Sequence, residues 1–442
     1  MQIKKLTLKN FMRFADLAID FAPQSEQQSN VTVFIGNNGA GKTSILKSLV
    51  LSLSWLVARI ERERGSGSPI SELDILNGAS FAQIMLEVEH DSQSFQWSLA
   101  KTAKGRKKQA ESSLIDTSKL ADFFRIDDST ETKELPLPLM VYYPVDRSVL
   151  DVPLKIQTKH SFEQIEGYDN ALSQGVDFRR FFEWFRDRED VQNEIANSFD
   201  GLLDPATMKG FLEKLKSHKD KQLTSVRRAI YSFIPEFSNL KIQRKPSLKM
   251  VVDKKGEKKP LNILQLSQGE KSLMALVGDI ARRLAMMNPD LENPLEGKGV
   301  VLIDEIDMHL HPKWQRSIVS NLQKTFPNCQ FILTTHSPAV VSDSPNLLVY
   351  ELDDGEVNSA PNLYGMEVNQ VLLQGMDAEI INEDVQQKLD DILDSIQEQQ
   401  FDNARKKLEK LEKILSSDNL ELGKVSLLLR KMELLYAKNQ QK

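Results

Sequence analysis

Two short segments 262 positions apart constrain this chain more than anything else in it: a glycine-rich loop that ends in Lys42-Thr43, and an apolar run that ends in Asp304-Glu305. The loop, Gly36-Asn37-Asn38-Gly39-Ala40-Gly41-Lys42-Thr43-Ser44, follows an apolar run over residues 31–35 and opens a segment with helical spacing of Ile45, Leu46, Leu49, Leu53 and Leu56. Strand, glycine loop and helix in that order let backbone N–H groups and a helix N-terminus cradle phosphates. In such a loop Lys42 reaches the β- and γ-phosphates and the Thr43 hydroxyl binds Mg2+. The run Val300-Val301-Leu302-Ile303 reads as a parallel strand buried on both faces. Asp304 at its end would hold the Mg2+, and Glu305 would polarise an attacking water. One ATP site is therefore expected to be assembled from the two ends of an interrupted α/β core.

The 442 residues allow roughly two or three domains. A net charge of −6 disfavours a broadly basic surface without excluding a local one. The single cysteine, Cys329, supports neither a disulfide framework nor a thiolate zinc cluster. No run approaches 18 unbroken apolar residues, so no membrane partner is expected. These features together predict a cytoplasmic protein.

Alternation predicts strands within 1–22 and over 31–35, a hairpin at 81–89 and 94–100, and a buried strand at 137–143. From about 160 to 237 the pattern turns helical, with Phe178, Phe181, Phe182 and Phe185 on one stripe. Strands return over 239–263 and again at 347–351. In the tail, Val385, Leu389, Ile392 and Ile396 recur at helical spacing, as do Ala404, Leu408, Leu411 and Leu415, and then Val425, Leu428, Met432 and Leu435. The expected organisation is a first ATPase half over 1–154, a helical insertion over 155–237, a second half over 238–362, and a helical partner-docking tail over 363–442.

Between the two halves of the site, Leu266-Ser267-Gln268-Gly269-Glu270 opens another helix, with Ser267 as its N-cap. Thr335-His336-Ser337 follows the apolar strand Phe331-Ile332-Leu333-Thr334. In this order the motifs resemble ABC-type ATPases of the SMC/RecF branch, in which an insertion splits the core. The resemblance implies that Ser267 and Gly269 bind the γ-phosphate held by a second protomer, so that ATP is sandwiched in a head-to-tail dimer, with room for a higher oligomer. It makes His336 the switch histidine, and with Glu305 and Lys42 it completes the catalytic set. It places Asn10 and Arg13 near the nucleotide. Two features depart from the pattern. His311 stands where the family carries an acid in Met308-His309-Leu310-His311-Pro312, and Asp146 or Arg147 stands near the place of an expected glutamine. His309 and His311 lack an obvious third partner for a metal.

The stretches 304–312 and 334–338, with the tail opening Leu363-Tyr364-Gly365-Met366-Glu367, are similar to a bacterial and phage defence group that includes the PtuA-type ATPases of Septu and some retron systems. That resemblance implies an anti-phage switch that controls a separate nuclease of the HNH type. DNA, or a retron reverse transcriptase–ncRNA complex, is a further partner it admits. The alternative is a RecF/SMC-like DNA-binding ATPase of repair or recombination. For that role Lys101, Lys104, Arg106, Lys107 and Lys108, or Arg244, Lys245, Lys249, Lys254 and Lys255, would meet DNA, although basic loop runs are usually solvated charge. The helical tail lacks carboxylates at buried strand ends, so no intrinsic metal nuclease is expected.

Overall fold

The structure, a computed structural model, describes residues 1–24, 29–125, 135–145, 162–173, 175–197, 220–375, 383–415 and 419–440. The chain begins with β1 (Gln2–Phe11), β2 (Phe14–Asp20), β3 (Val31–Gly36) and α1 (Lys42–Glu61). It continues through β4 (Phe81–His90), β5 (Gln93–Thr102), α2 (Ile115–Asp122) and β6 (Leu139–Tyr143). Next come α3 (Phe178–Asn197), α4 (Lys221–Phe233), β7 (Phe237–Gln243), β8 (Lys249–Lys254) and β9 (Leu261–Asn262). The second half of the core is α5 (Gln268–Met287), β10 (Gly299–Ile303), α6 (Pro312–Thr325), β11 (Cys329–Thr334), α7 (Pro338–Ser342), β12 (Leu348–Asp353) and β13 (Glu356–Ser359). The tail holds α8 (Val368–Gly375), α9 (Glu383–Gln397), α10 (Phe401–Glu412) and α11 (Leu420–Gln440).

The core sheet runs β13-β12-β3-β11-β10-β6. From β12 to β6 every pairing is parallel, and only β13 turns back. β10 and β11 are buried at every residue, and β3 at every residue before Gly36. That is why they read as unbroken apolar runs. β11 separates β3 from β10, in register Thr334 opposite Phe34 and Leu333 opposite Ile303. The carboxyl ends of β3, β11, β10 and β6 therefore share one sheet edge, where open α/β sheets bind ligands. Residues from both halves of the chain meet there.

An antiparallel sheet, β2-β1-β4-β5, lies beside this core. Gln330 of β11 ties the two together. Its amide accepts from Ile3 N at 2.7 Å and donates to the Ile3 and Ala22 carbonyls at 2.8 and 2.7 Å. A fully buried glutamine is tolerated because its amide is satisfied at both ends. α1 is the one helix among the described residues long and apolar enough to cross a membrane, but it packs as the core helix behind the glycine loop.

α3 and α4 pack on α5. Phe178, Phe181, Phe182 and Phe185 of α3 are buried, as the stripe predicts. Below them lies a wholly buried ionic group. Asp279 accepts from Arg282 at 2.7 Å, from Arg283 at 2.8 Å and from the Tyr143 hydroxyl at 3.0 Å. Arg283 also donates to the carbonyls of Gly167 and Asp169 at 2.6 and 3.0 Å. Burial pushes the Asp279 carboxyl up, but the two guanidiniums outweigh it and hold the group below the usual range. Removing the charge leaves two buried cations uncompensated, so Asp279→Asn is expected to cost about 3–5 kcal/mol of stability. Urea denaturation of the purified variant measures this.

Packing divides the chain into Met1–Val371 and Leu372–Lys442. Within the second unit, α9, α10 and α11 enclose Leu389, Ile392, Ile396, Ala404, Leu408, Leu411, Leu422, Val425 and Leu429. The pattern foreseen for the last helix holds in part: Val425 is buried and Met432 packs against the core, whereas Leu428 and Leu435 are exposed and Leu422 and Leu429 are buried. α11 is apolar on two faces, so spacing alone does not select the buried one.

Candidate active site

The glycine loop wraps the start of α1 as expected. Gly36 has φ +138, and a Cβ there would stand 2.3 Å from the Leu352 carbonyl oxygen, so no other residue fits. Asn37, Asn38, Gly39 and Thr43 are exposed on the crest, Gly41 and Ser44 are half-buried, and Ala40 is buried. Lys42 is only 6% exposed. Its ammonium donates to the carbonyls of Gly36 at 2.7 Å and Asn37 at 3.1 Å. Burial lowers its pKa from the ordinary lysine value, while the charges of Glu305, Asp304 and Asp307 pull it back up. The three carboxylates are thus close enough to be felt by the loop lysine.

Across β11, Asp304 is 1% exposed. Its Oδ2 accepts from the Thr43 hydroxyl at 2.7 Å, joining positions far apart in sequence. Its Oδ1 accepts from the Thr334 hydroxyl at 2.5 Å, and Thr334 Oγ1 in turn accepts from Glu305 N at 2.7 Å. Glu305 adopts φ +46, rare for a residue with a side chain and a mark of local constraint. A hydroxyl and a carboxylate at this spacing supply oxygen donors only, the set that a hard divalent cation such as Mg2+ prefers. Thr334 takes no role of its own from the sequence, although it opens the stretch 334–338. Its one signal there is a polar residue closing an otherwise apolar strand just ahead of Thr335-His336.

His336 is half-buried on the loop after β11. Its backbone N–H donates to Asp307 at 3.3 Å, and the Thr335 hydroxyl donates to the same carboxylate oxygen. Gln315 of α6 joins this loop to the preceding one. It donates to the carbonyls of Asp307 and Leu310 at 3.3 and 3.1 Å and accepts from the Ser337 hydroxyl at 2.9 Å. His311, in the place of the family's acid, caps α6: its Nδ1 accepts from Lys313 N at 3.2 Å. No group that could hold a metal through three His, Cys, Asp or Glu side chains occurs among the described residues.

Ser267 caps α5 in a reciprocal arrangement with Glu270. Its hydroxyl and N–H donate to Glu270 at 2.8 and 2.9 Å, and Lys254 holds the other carboxylate oxygen at 2.8 Å. Burial pushes Glu270 up, but the bonds from Lys254 and Ser267 keep its pKa below the usual value. A Cβ on Gly269 would come within 2.7 Å of the His309 carbonyl oxygen and 3.0 Å of Trp314. Among the described residues no hydrogen bond links Ser267 or Gly269 to the chain's own phosphate loop.

Arg13 does lie over that loop: a Cβ on Gly41 would approach its Cδ to 2.8 Å. The Asn10 carbonyl is taken up by Leu76 N at 2.9 Å. Asp146 and Arg147 lie outside the described residues. The basic residues weighed for nucleic acid are partly spent inside the protein. Arg244 pairs with Glu189 and Asp190, Lys108 with Glu111 and Lys254 with Glu270.

A glycine phosphate loop, a strand-end Asp-Glu and a following Thr-Thr-His on one sheet edge define a P-loop ATPase of the ABC type whose core is split by an insertion. A family model described as "AAA domain, putative AbiEii toxin, Type IV TA system" matches residues 31–342, and a second AAA domain model matches residues 1–57. The chain belongs to this AAA-domain family and is an ATPase. It is 33% identical to the retron Ec83 probable ATPase of Escherichia coli, over 82% of this chain and 73% of that protein. It is 36% identical to the retron Vc95 probable ATPase of Vibrio cholerae, over 80% of this chain and 74% of that one. The Septu protein PtuA of Bacillus mycoides is 25% identical over 80% of this chain and 40% of its own length. The SMC head domain from Thermotoga maritima aligns with 82% of this chain at 16% identity and a TM-score of 0.42, too loosely to add to the fold described above.

Proposed function

We propose that this ATPase is the nucleotide-driven switch subunit of a cytoplasmic anti-phage defence system and controls a separate nuclease effector of the HNH type. The observation that carries the reading is kinship over four-fifths of the chain with two retron ATPases, supported by a glycine loop whose Thr43 meets Asp304. In this reading the N–H groups of residues 36–44 and Lys42 hold the phosphates, and Thr43 and Asp304 hold Mg2+. Glu305 orients and deprotonates the attacking water, and His336 senses the γ-phosphate. Ser267 and Gly269 serve the nucleotide of a second protomer, so the working unit is a head-to-tail dimer or a larger assembly. The segment 155–237 acts as lever or oligomer contact, and the tail docks the effector.

The test is a native pull-down of the tagged chain expressed from its own operon, with every co-eluting species identified. A stoichiometric HNH-type nuclease upholds the proposal. Recovery of the ATPase with only salt-sensitive DNA replaces it with the repair-type reading. Deleting 375–442 removes nearly all of a unit with its own core. The truncated chain is expected to keep ATP turnover within about 3-fold, since the deleted helices and the ATP site belong to units with separate cores, and to lose the effector. A truncated chain that still co-purifies with it overturns the docking role.

A further inference from the structure

Thr334 touches both acids of the site, through the carboxylate of one and the backbone of the other. We propose that it is a positioning residue for hydrolysis: one hydroxyl that fixes the cation-facing carboxylate and the backbone of the base together. The inference rests on the Mg2+–ATP reading given above and adds a residue that reading does not contain.

The geometry leaves the hydroxyl a single assignment. Glu305 N–H can only donate, so Thr334 Oγ1 accepts from it at 2.7 Å. The hydroxyl proton is then directed at Asp304 Oδ1, 2.5 Å away. With Oδ1 occupied, the other oxygen, Oδ2, faces the Thr43 hydroxyl at 2.7 Å. The carboxylate therefore cannot rotate without breaking a hydrogen bond at a wholly buried threonine. The second bond acts on the base. Glu305 sits at φ +46, and its N–H is pinned by Thr334 while Ile306 N bonds the Thr334 carbonyl at 3.0 Å. Thr334 thus grips the backbone on both sides of the Glu305 Cα, and its side chain can be aimed only as that kink allows. A β-branched residue suits the task, since its χ1 is stiff and the whole side chain is buried.

The test compares Thr334→Val, which keeps the shape and removes the hydroxyl, with Thr334→Ser, which keeps the hydroxyl. Two quantities are read: kcat with KM, and the ratio of ATP affinities with Mg2+ and with EDTA, measured with a fluorescent ATP analogue. Groups that orient metal ligands are worth roughly 10–100-fold. Thr334→Val is accordingly expected to lower kcat by that factor, to shrink the Mg2+-dependent gain in affinity, and to leave affinity in EDTA within about 3-fold. Thr334→Ser should restore both quantities to within about 3-fold of the parent protein. If Thr334→Val does not fold, Thr334→Cys takes its place, with a weaker donor of similar volume and an intermediate loss. A folded Val or Cys variant with parental kcat and parental Mg2+ gain overturns the proposal. A parent protein with no Mg2+ gain at all overturns the metal reading instead.

Discussion

Glu305→Gln is expected to bind ATP with nearly parental affinity and to hydrolyse it roughly 10²–10⁴-fold more slowly, the range for loss of a general base. The substitution is isosteric and leaves the backbone hydrogen bond from Glu305 N to Thr334 in place, so the kink at φ +46 should persist. The carboxamide still accepts a hydrogen bond from water but cannot take its proton. In the proposed reading Asp304, Thr43 and Lys42, which the substitution leaves unchanged, would go on holding the phosphates and cation. Chemistry is then blocked after nucleotide has bound, and the closed assembly should accumulate. Single-turnover hydrolysis gives the rate, and light scattering with and without ATP gives the mass. Parental turnover would place the base elsewhere, and Asp307, which the Lys42 ammonium also feels, is the next residue to change.

The site was legible in sequence wherever one residue type is required by backbone geometry or by phosphate chemistry. Gly36 is compelled by Leu352, a contact partner more than 300 residues away, yet the glycine itself shows in the motif. β3, β10 and β11 were readable because strands buried on both faces carry unbroken apolar runs. Thr334 was not readable, because a threonine ending a strand is common and its meaning depends on the neighbouring strand. Nor was the Asp279–Arg282–Arg283 group, whose charges resemble those of any helix surface until Tyr143 of β6 and the carbonyls of Gly167 and Asp169 meet them. The buried face of α11 was only half legible, for the opposite reason: Val425 and Met432 face the core as their spacing predicts, but Leu427, Leu428, Leu434 and Leu435 are exposed, so apolar residues occupy both sides of the helix. The place of the family's acid shows a further limit. Sequence flagged His311 as a departure, and only the structure gave it a task, capping α6.

Lys42→Ala is expected to lose nucleotide binding and with it all turnover. A charge-assisted hydrogen bond contributes about 1.5–3 kcal/mol, and a lysine between two phosphates makes at least two, so the affinity loss should exceed roughly 100-fold. The structure makes this lysine hard to replace. It is almost wholly buried, bonded to the carbonyls of Gly36 and Asn37, and faced by the charges of Glu305, Asp304 and Asp307. Without it, bound phosphates would meet three carboxylates with no nearby cation from the loop. Lys42→Arg should not rescue, because a planar guanidinium cannot take the place of a compact ammonium in a closed loop. Only the charged form binds phosphate, and burial places the Lys42 pKa below that of an exposed lysine. Below that pKa the ammonium is intact and affinity is full. Affinity of the parent protein should fall as pH rises through it, earlier on the alkaline side than an exposed lysine would allow. Titration of a fluorescent ATP analogue across this range, with thermal unfolding as the check on folding, gives both results. Parental affinity in Lys42→Ala would mean that the phosphates are held elsewhere.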